Sequence, residues 1–283
     1  MRVQSLICVV LLGLSLHSAA LKVSSSASLS QLRGLQSLRS KRSSQLIKDC
    51  IAVGLEEGSY YHKSSGDATV CGVYVAGAAN QRVQLTLDYV DVDCESGGLI
   101  SFLDGWELNG EVFPPVGDAP LEGRVEELCG RHQRKVFLST SNAASLLYSL
   151  PRRGDVFKIS VKFIKHPTPC NILVSGDSGV FTLRNHGTRS VMHRCSKRGL
   201  EDEVVVGGAL GLDVSNMLVE DDICGLDSNP RARPSAVLCE VSVVRLISSG
   251  NTENSVTVAL SQIQVEDPNF LPTTVCPVPM QEA

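Results

Sequence analysis

The sequence predicts an all-β protein built as two tandem β-sandwiches, and three observations carry that expectation. Strands show a period of two: Phe157, Ile159, Val161 and Phe163 alternate with Lys158, Ser160 and Lys162, and Val83, Leu85, Leu87 and Tyr89 alternate with Gln84, Thr86 and Asp88. Such alternation marks sheets with one buried face. A pattern also occurs twice. Gly98-Leu99 follows Cys94 as Gly199-Leu200 follows Cys195, and E-E-L-C-G at residues 126–130 parallels D-D-I-C-G at residues 221–225. A hairpin glycine comes next in each copy, Gly154 at 25 residues after Cys129 and Gly250 at 26 after Cys224. Helical periodicity is nearly absent, so two copies of one β module, joined near His166 to Pro169, account for the pattern. With 283 residues, 43% hydrophobic and 20% charged, the chain can fill two cores and fits neither the disordered nor the polytopic membrane class.

The elements follow in chain order. Residues 1–20 read as a secretory signal, with Arg2 at the start, an apolar run from Leu6 to Leu16 and small residues at Ser18-Ala19-Ala20. A membrane anchor is the alternative, but that run is far shorter than the roughly 20 apolar residues of a span. No later stretch is long and apolar enough to cross a bilayer, so a secreted, extracellular product is expected, and Cys8 leaves with the signal. Residues 21–49 form a serine-rich basic lead ending near Arg39-Ser40-Lys41-Arg42. Paired bases suit the acidic subsites of processing proteases, because each can pair with a carboxylate. Cleavage after Lys41-Arg42 stands beside an uncut flexible arm as the two readings. These first 49 residues hold seven Lys/Arg and one acid, which leaves 19 bases against 29 acids beyond them, a net charge of −10. A body of that sign repels phosphate backbones, so nucleic acid is not an expected partner.

Removing Cys8 leaves nine cysteines: Cys50, Cys71, Cys94, Cys129, Cys170, Cys195, Cys224, Cys239 and Cys276. In an exported protein these read as disulfides, and the odd number points to a thiol, an intermolecular bridge or a missing residue. No C-x-x-C pair or clustered His/Cys set occurs, so neither a metal site nor a cofactor is expected. The copies differ in length: Cys50 to Cys94 spans 44 residues and Cys170 to Cys195 only 25, a shortfall of 19. The second copy therefore lacks a strand or two and one cysteine.

Residues 85–105, L-T-L-D-Y-V-D-V-D-C-E-S-G-G-L-I-S-F-L-D-G, resemble the central strands of a CUB domain. D-G-W-E-L-N-G-E-V-F-P at 104–114, led by Asp104, Gly105 and Trp106, is similar to the corticotropin-releasing-factor-binding protein family. So are P-C-N-I at 169–172, G-G-A-L-G-L-D at 207–213 and V-V-R-L-I-S-S-G at 243–250. The resemblance covers nearly everything from Cys50 to Cys276. It implies CUB-like domains at 50–166 and 167–276, the second shortened, with a tail at 277–283. It further implies consecutive pairing, Cys50–Cys71, Cys94–Cys129, Cys195–Cys224 and Cys239–Cys276, with Cys170 as the cysteine whose family partner is missing. The function implied is a secreted, non-enzymatic carrier that sequesters CRF-like peptide hormones, such as a CRF-like diuretic hormone. The alternative is an extracellular CUB-domain adhesion or matrix protein.

Three departures accompany the resemblance. No N-x-[ST] sequon occurs. The position at which calcium-binding CUB domains carry an acid is Gly98 here, so Asp104 reads as a turn residue. Family members have ten cysteines after the signal and a longer stretch between F-T-L at 181–183 and the next cysteine. Two motifs are decoys. G-D-S-G at 176–179 lacks the flanking residues of a protease nucleophile, and V-V-V-G-G-A-L-G at 204–211 lacks the βαβ context of a dinucleotide loop and reads as a hairpin turn. Trp106 is a packing anchor of the D-G turn or a ligand contact, the former preferred. His62, His132, His166, His186 and His193 read as surface residues. Protein recovered from culture medium is expected to begin after Arg42 on N-terminal sequencing; a start near Leu21 with residues 21–42 intact overturns the processing site.

Overall fold

A computed structural model of the chain describes residues 8–13, 44–167, 169–175, 178–184, 202–224, 234–250, 253–261 and 272–277. Among them the regular elements are strands, apart from one 3-10 turn at Val214–Asn216. The first strand, β1, is Cys8–Gly13. Then come β2 (Gln45–Leu46), β3 (Ile51–Val53), β4 (Gly58–Lys63), β5 (Asp67–Ala76), β6 (Gln81–Val92), β7 (Leu99–Leu103), β8 (Trp106–Leu108) and β9 (Glu111–Phe113). The first half closes with β10 (Val125–Leu128), β11 (Gly130–Leu138), β12 (Ala143–Leu150) and β13 (Val156–Lys165). The second half has β14 (Ile172–Ser175), β15 (Ser178–Arg184), β16 (Glu203–Ala209), β17 (Leu218–Cys224), β18 (Val237–Leu238), β19 (Val241–Ile247), β20 (Ser255–Ser261) and β21 (Thr274–Val275). The expected all-β class is what the chain adopts.

The first half is a sandwich of two five-stranded sheets, ordered β10-β7-β12-β5-β3 and β11-β6-β13-β4-β2. Alternation turns one face of each sheet inward, and the two faces share one core. Val73 and Val75 of β5 and Leu146 of β12 meet Leu85 and Leu87 of β6 and Phe157 and Ile159 of β13 there. Aromatic pairs cross the gap: Phe102 stacks on Phe137 at 4.5 Å, and Tyr148 meets Phe157 edge to face at 4.9 Å. The alternation along β6 does not run to Tyr89. The register slips opposite Lys158 and Ile159, where Leu87 and Tyr89 face consecutive residues of β13. This bulge inverts the phase, leaving Tyr89 exposed and Val90 buried.

Disulfides join Cys50 to Cys71, Cys94 to Cys129 and Cys239 to Cys276, closing separations of 21, 35 and 37 residues. Loops of this size correspond to about 3 to 4 kcal/mol each in the chain-entropy account. Cys224 ends β17, while Cys195, Lys41 and Arg42 lie outside the described residues.

The second half repeats the plan in reduced form. Its five-stranded sheet runs β14-β1-β19-β16-β17, and the β15–β20 pair packs on it through Leu183, Val256 and Val258 against Val244 and Leu246. Strands β17, β16 and β19 take the places of β10, β7 and β12. Strand β14 follows Cys170 as β3 follows Cys50, and β20 pairs with β15 as β13 pairs with β4. Phe157→Ala removes a fully buried ring between the sheets of the first half. It is expected to lower unfolding free energy by about 3 to 5 kcal/mol in urea denaturation; a loss under about 1 kcal/mol means the ring is not a core residue.

Candidate functional site

Three of the segments singled out in the sequence, 104–114, 207–213 and 243–250, meet at the seam between the two halves, while 169–172 leads into Leu173 there and packs its own Cys170 and Ile172 inside the second half. Strand β19 explains why. Its even residues Val244 and Leu246 face the β15–β20 pair, whereas its odd residues Val241 and Val243 face the first half. Arg245 continues the odd face and donates from Nη2 to Oδ1 of Asp118 at 2.7 Å, an ion pair with side chains 18% and 3% exposed. The seam core joins Phe113 and Ala143 of the first half to Leu173, Ala209, Leu212, Val214, Val241 and Val243 of the second, with Trp106 and Met217 packed at its edge.

The D-G-W motif builds the clasp that reaches across. Asp104 is buried and its Oδ1 accepts from the Thr140 amide at 2.8 Å. Burial pushes its carboxyl above the ordinary range, against the hydrogen bonds and the Arg124 charge that favour ionisation. Gly105 has φ 123°, and a Cβ there would collide with the Phe113 carbonyl oxygen. Only glycine serves at this crossing. Trp106 lies over the first sheet, its Nε1 donating to the Val75 carbonyl at 3.0 Å and its ring edge-on to Tyr74 at 5.6 Å. From it the β8–β9 hairpin carries Phe113 into the seam. The Arg124 guanidinium fastens the base of the hairpin by donating to the carbonyls of Asp104, Phe113, Pro114 and Ala119. Burial pulls its pKa below the ordinary arginine value.

Two further contacts complete the seam. Oε2 of Glu111, at the hairpin tip, accepts from the amides of Leu212 and Asp213 at 2.7 and 3.2 Å. The Asn142 side chain donates to the carbonyls of Gly77 and Leu173, and its Oδ1 accepts from the Leu173 amide at 2.7 Å. One amide thus ties both halves together. The arrangement is a packing and positioning device. Trp106 anchors the hairpin, and Asp104 organises a turn.

Several expectations need correction. Residues 204–209 are strand, not hairpin turn: Gly207 and Gly208 lie inside β16, paired on both sides. Gly207 stands at a register shift where a Cβ would strike the Leu218 carbonyl, and Gly208 is pressed against Cys239. His62 is half-buried, stacked on Phe157 and tilted against Tyr148, with Nδ1 at 3.2 Å from the Ile47 carbonyl. His132 is also half-buried, bonded to the Cys129 carbonyl. Ser178 of the G-D-S-G decoy opens β15 opposite Ser261, and Gly176 and Asp177 lie outside the described residues. At Gly98 a Cβ would strike the Asp93 carbonyl and approach the Asp155 carboxylate, so the fold leaves no room for an acid there. Among the described residues no group of three or more His, Cys, Asp or Glu is placed to hold a metal ion. The Arg131–Asp91 and Arg152–Asp93 ion pairs line an open cleft beside Cys94, at 3.1 and 3.5 Å. Exposed pairs of this kind contribute little.

Both halves match models of a known family: the "Corticotropin-releasing factor binding protein N-terminal domain" over residues 40–165 and the corresponding "C-terminal domain" over 168–269. Among curated proteins, the corticotropin-releasing factor-binding protein of Rattus norvegicus is 28% identical over 225 residues, covering 69% of each chain. That of Homo sapiens is 26% identical over 253 residues, covering 78% of each, and that of Xenopus laevis 25% over 245, covering 76% of each. Among solved structures, the CUB1-EGF-CUB2 domains of rat MASP-1 match at 10% identity and a TM-score of 0.26, over 77% of this chain and 100% of that one.

The seam has a titratable part. Burial pushes the Asp118 carboxyl up from 3.8 to about 6, outweighing the pull of Arg245, with Asp213 adding repulsion. A carboxyl that holds its proton more tightly when folded stabilises the fold most below its ordinary value. That contribution is lost as the pH rises through about 6. The melting temperature of the chain relative to Asp118→Asn is therefore expected to fall from about pH 4 to about pH 7. A difference independent of pH places Asp118 in contact with solvent.

Proposed function

Because this chain belongs to the corticotropin-releasing factor binding protein family, we propose that it is a secreted, non-enzymatic carrier of CRF-like peptide hormones that withholds them from their receptors. A CRF-like diuretic hormone is one example of this ligand class. The observation that carries the reading is the match of both domain models, together covering most of the chain. The seam supports it physically. A long peptide that touches two domains is held more tightly when they keep a fixed relation, because each freely moving part adds ordering cost on binding. The clasp of Trp106, Phe113, Glu111 and Arg124 removes that freedom beforehand. Peptides of this class carry an apolar helical stripe, which a groove can take, or can pair with an exposed strand edge. A net charge of −10 beyond the first 49 residues favours basic hormone segments.

Fluorescence anisotropy with labelled corticotropin-releasing factor and a CRF-like diuretic peptide tests the reading. Saturable binding at or below about 1 μM is expected, corresponding to about 8 kcal/mol. The carrier should also shift a receptor dose-response curve rightward while the peptide keeps its mass. Absence of binding to every CRF-like peptide overturns the carrier and favours the adhesion module, and fragmentation of the peptide overturns its non-enzymatic character.

A further inference from the structure

The sheet of the second half contains a strand that the second half does not supply. β1 lies between β19 and β14. It pairs antiparallel with β19 from Cys8↔Leu246 to Gly13↔Val241, and parallel with β14 from Val10↔Ile172 to Gly13↔Ser175. In the first half the same place is held by β5, antiparallel to β12 and parallel to β3. The registers agree to the residue. Ile51, one place after Cys50, pairs with Gly72, one place after Cys71. Ile172, two places after Cys170, pairs with Val10, two places after Cys8. In backbone register Cys8 thus stands level with Cys170 as Cys71 stands level with Cys50. A segment from the far N-terminus occupies the position of the strand lost in the 19-residue shortfall between the copies.

The position selects for that segment. A strand paired on both sides within a sheet covered on both faces reads as a continuous apolar run. The matching part of β5 shows this, with Gly72 to Val75 buried in succession. Beside the position, Val243 and Val244 of β19 are buried on opposite faces. C-V-V-L-L-G is uncharged, contains two adjacent valines and spans six residues. The stretch following β15 offers no equivalent: residues 185–201 include His186, Arg189, His193, Arg194, Lys197 and Arg198.

We propose that the slot between β14 and β19 is a strand acceptor for an extended, uncharged apolar segment of about six residues, and that the chain's own residues 8–13 are its occupant while the N-terminal segment remains attached. Removal of residues 1–20 empties the slot. Six backbone positions on β19 and four on β14 then lose their partners, and an incoming apolar strand restores them. The inference stands independently of the hormone reading.

The test compares the full chain with one starting at Leu21, using as probe a synthetic peptide of residues 6–15 followed by lysines for solubility. The Leu21 form is expected to bind the probe and to gain about tenfold hydrogen-exchange protection over β19, while the full chain binds none. A probe with proline replacing Val10 and Leu12 is expected to fail, because proline cannot donate to a ladder. Equal binding by both forms, indifference to proline, or a folded Leu21 form that ignores the probe overturns the proposal. Should the Leu21 form not fold, the full chain carrying Val10→Pro and Leu12→Pro decides. Loss of protection over β19 with β12 still protected is the expected outcome, and unchanged protection over β19 overturns the proposal.

Discussion

The structure depends on burying both faces of the sheet that contains β19. A sheet in a free-standing sandwich covers one face and shows the other to water, with polar residues alternating outward. Here Val244 and Leu246 fill the sandwich of the second half, while Val241 and Val243 need a second cover. That cover is the β8–β9 hairpin of the first half. Its route requires the chain to cross itself closely at Gly105, beside the Phe113 carbonyl and under the Arg124 guanidinium. From this follow the glycine of the D-G-W motif, the buried arginine, and the pairing of Arg245 with Asp118 on the same face of β19. Truncating one partner of such a pair strands the other charge out of water.

Much of this was legible in the sequence because period two reports directly on a half-buried strand. Phe157, Ile159 and Val161 are all buried, and the glycines that follow Cys129 and Cys224, Gly154 and Gly250, both adopt positive φ. The errors arose where alternation was interrupted by something non-local. Alternation places Tyr89 inward because a bulge leaves no mark on the strand that carries it. The paired glycines at 207 and 208 suggested a turn because glycine signals turns by φ. Here they answer a different demand, close approach of the Leu218 carbonyl and Cys239 to a central strand. Neither neighbour is adjacent in sequence, so local composition held no trace of them.

The seam itself was half legible. The segments 104–114, 207–213 and 243–250 stand out together through their resemblance to one family, but nothing in their order along the chain says that they touch. Asn142 was missed entirely, although its side chain holds both Gly77 and Leu173. A buried amide between two apolar strands is a signal in principle, since such groups persist only when satisfied. In sequence it stood among S-T-S-N, where a loop explains every residue equally well.

The same physics accounts for the unusual place of β1. A repeat that loses an edge strand merely becomes smaller, but one that loses an inner strand leaves two ladders unpaired within a buried sheet. Unsatisfied backbone groups there cost about 1 to 3 kcal/mol each, so the vacancy is far more unfavourable than any single side-chain contact is favourable. An apolar segment of the right length therefore fills the gap even from a distant part of the chain, because loop closure grows only logarithmically with separation. The run Cys8–Gly13 is apolar, uncharged and short, and those are the properties an inner strand requires. The N-terminal run and the vacancy suit one another through shared chemistry, and the parallel register of Val10 with Ile172 is where that chemistry meets the repeat.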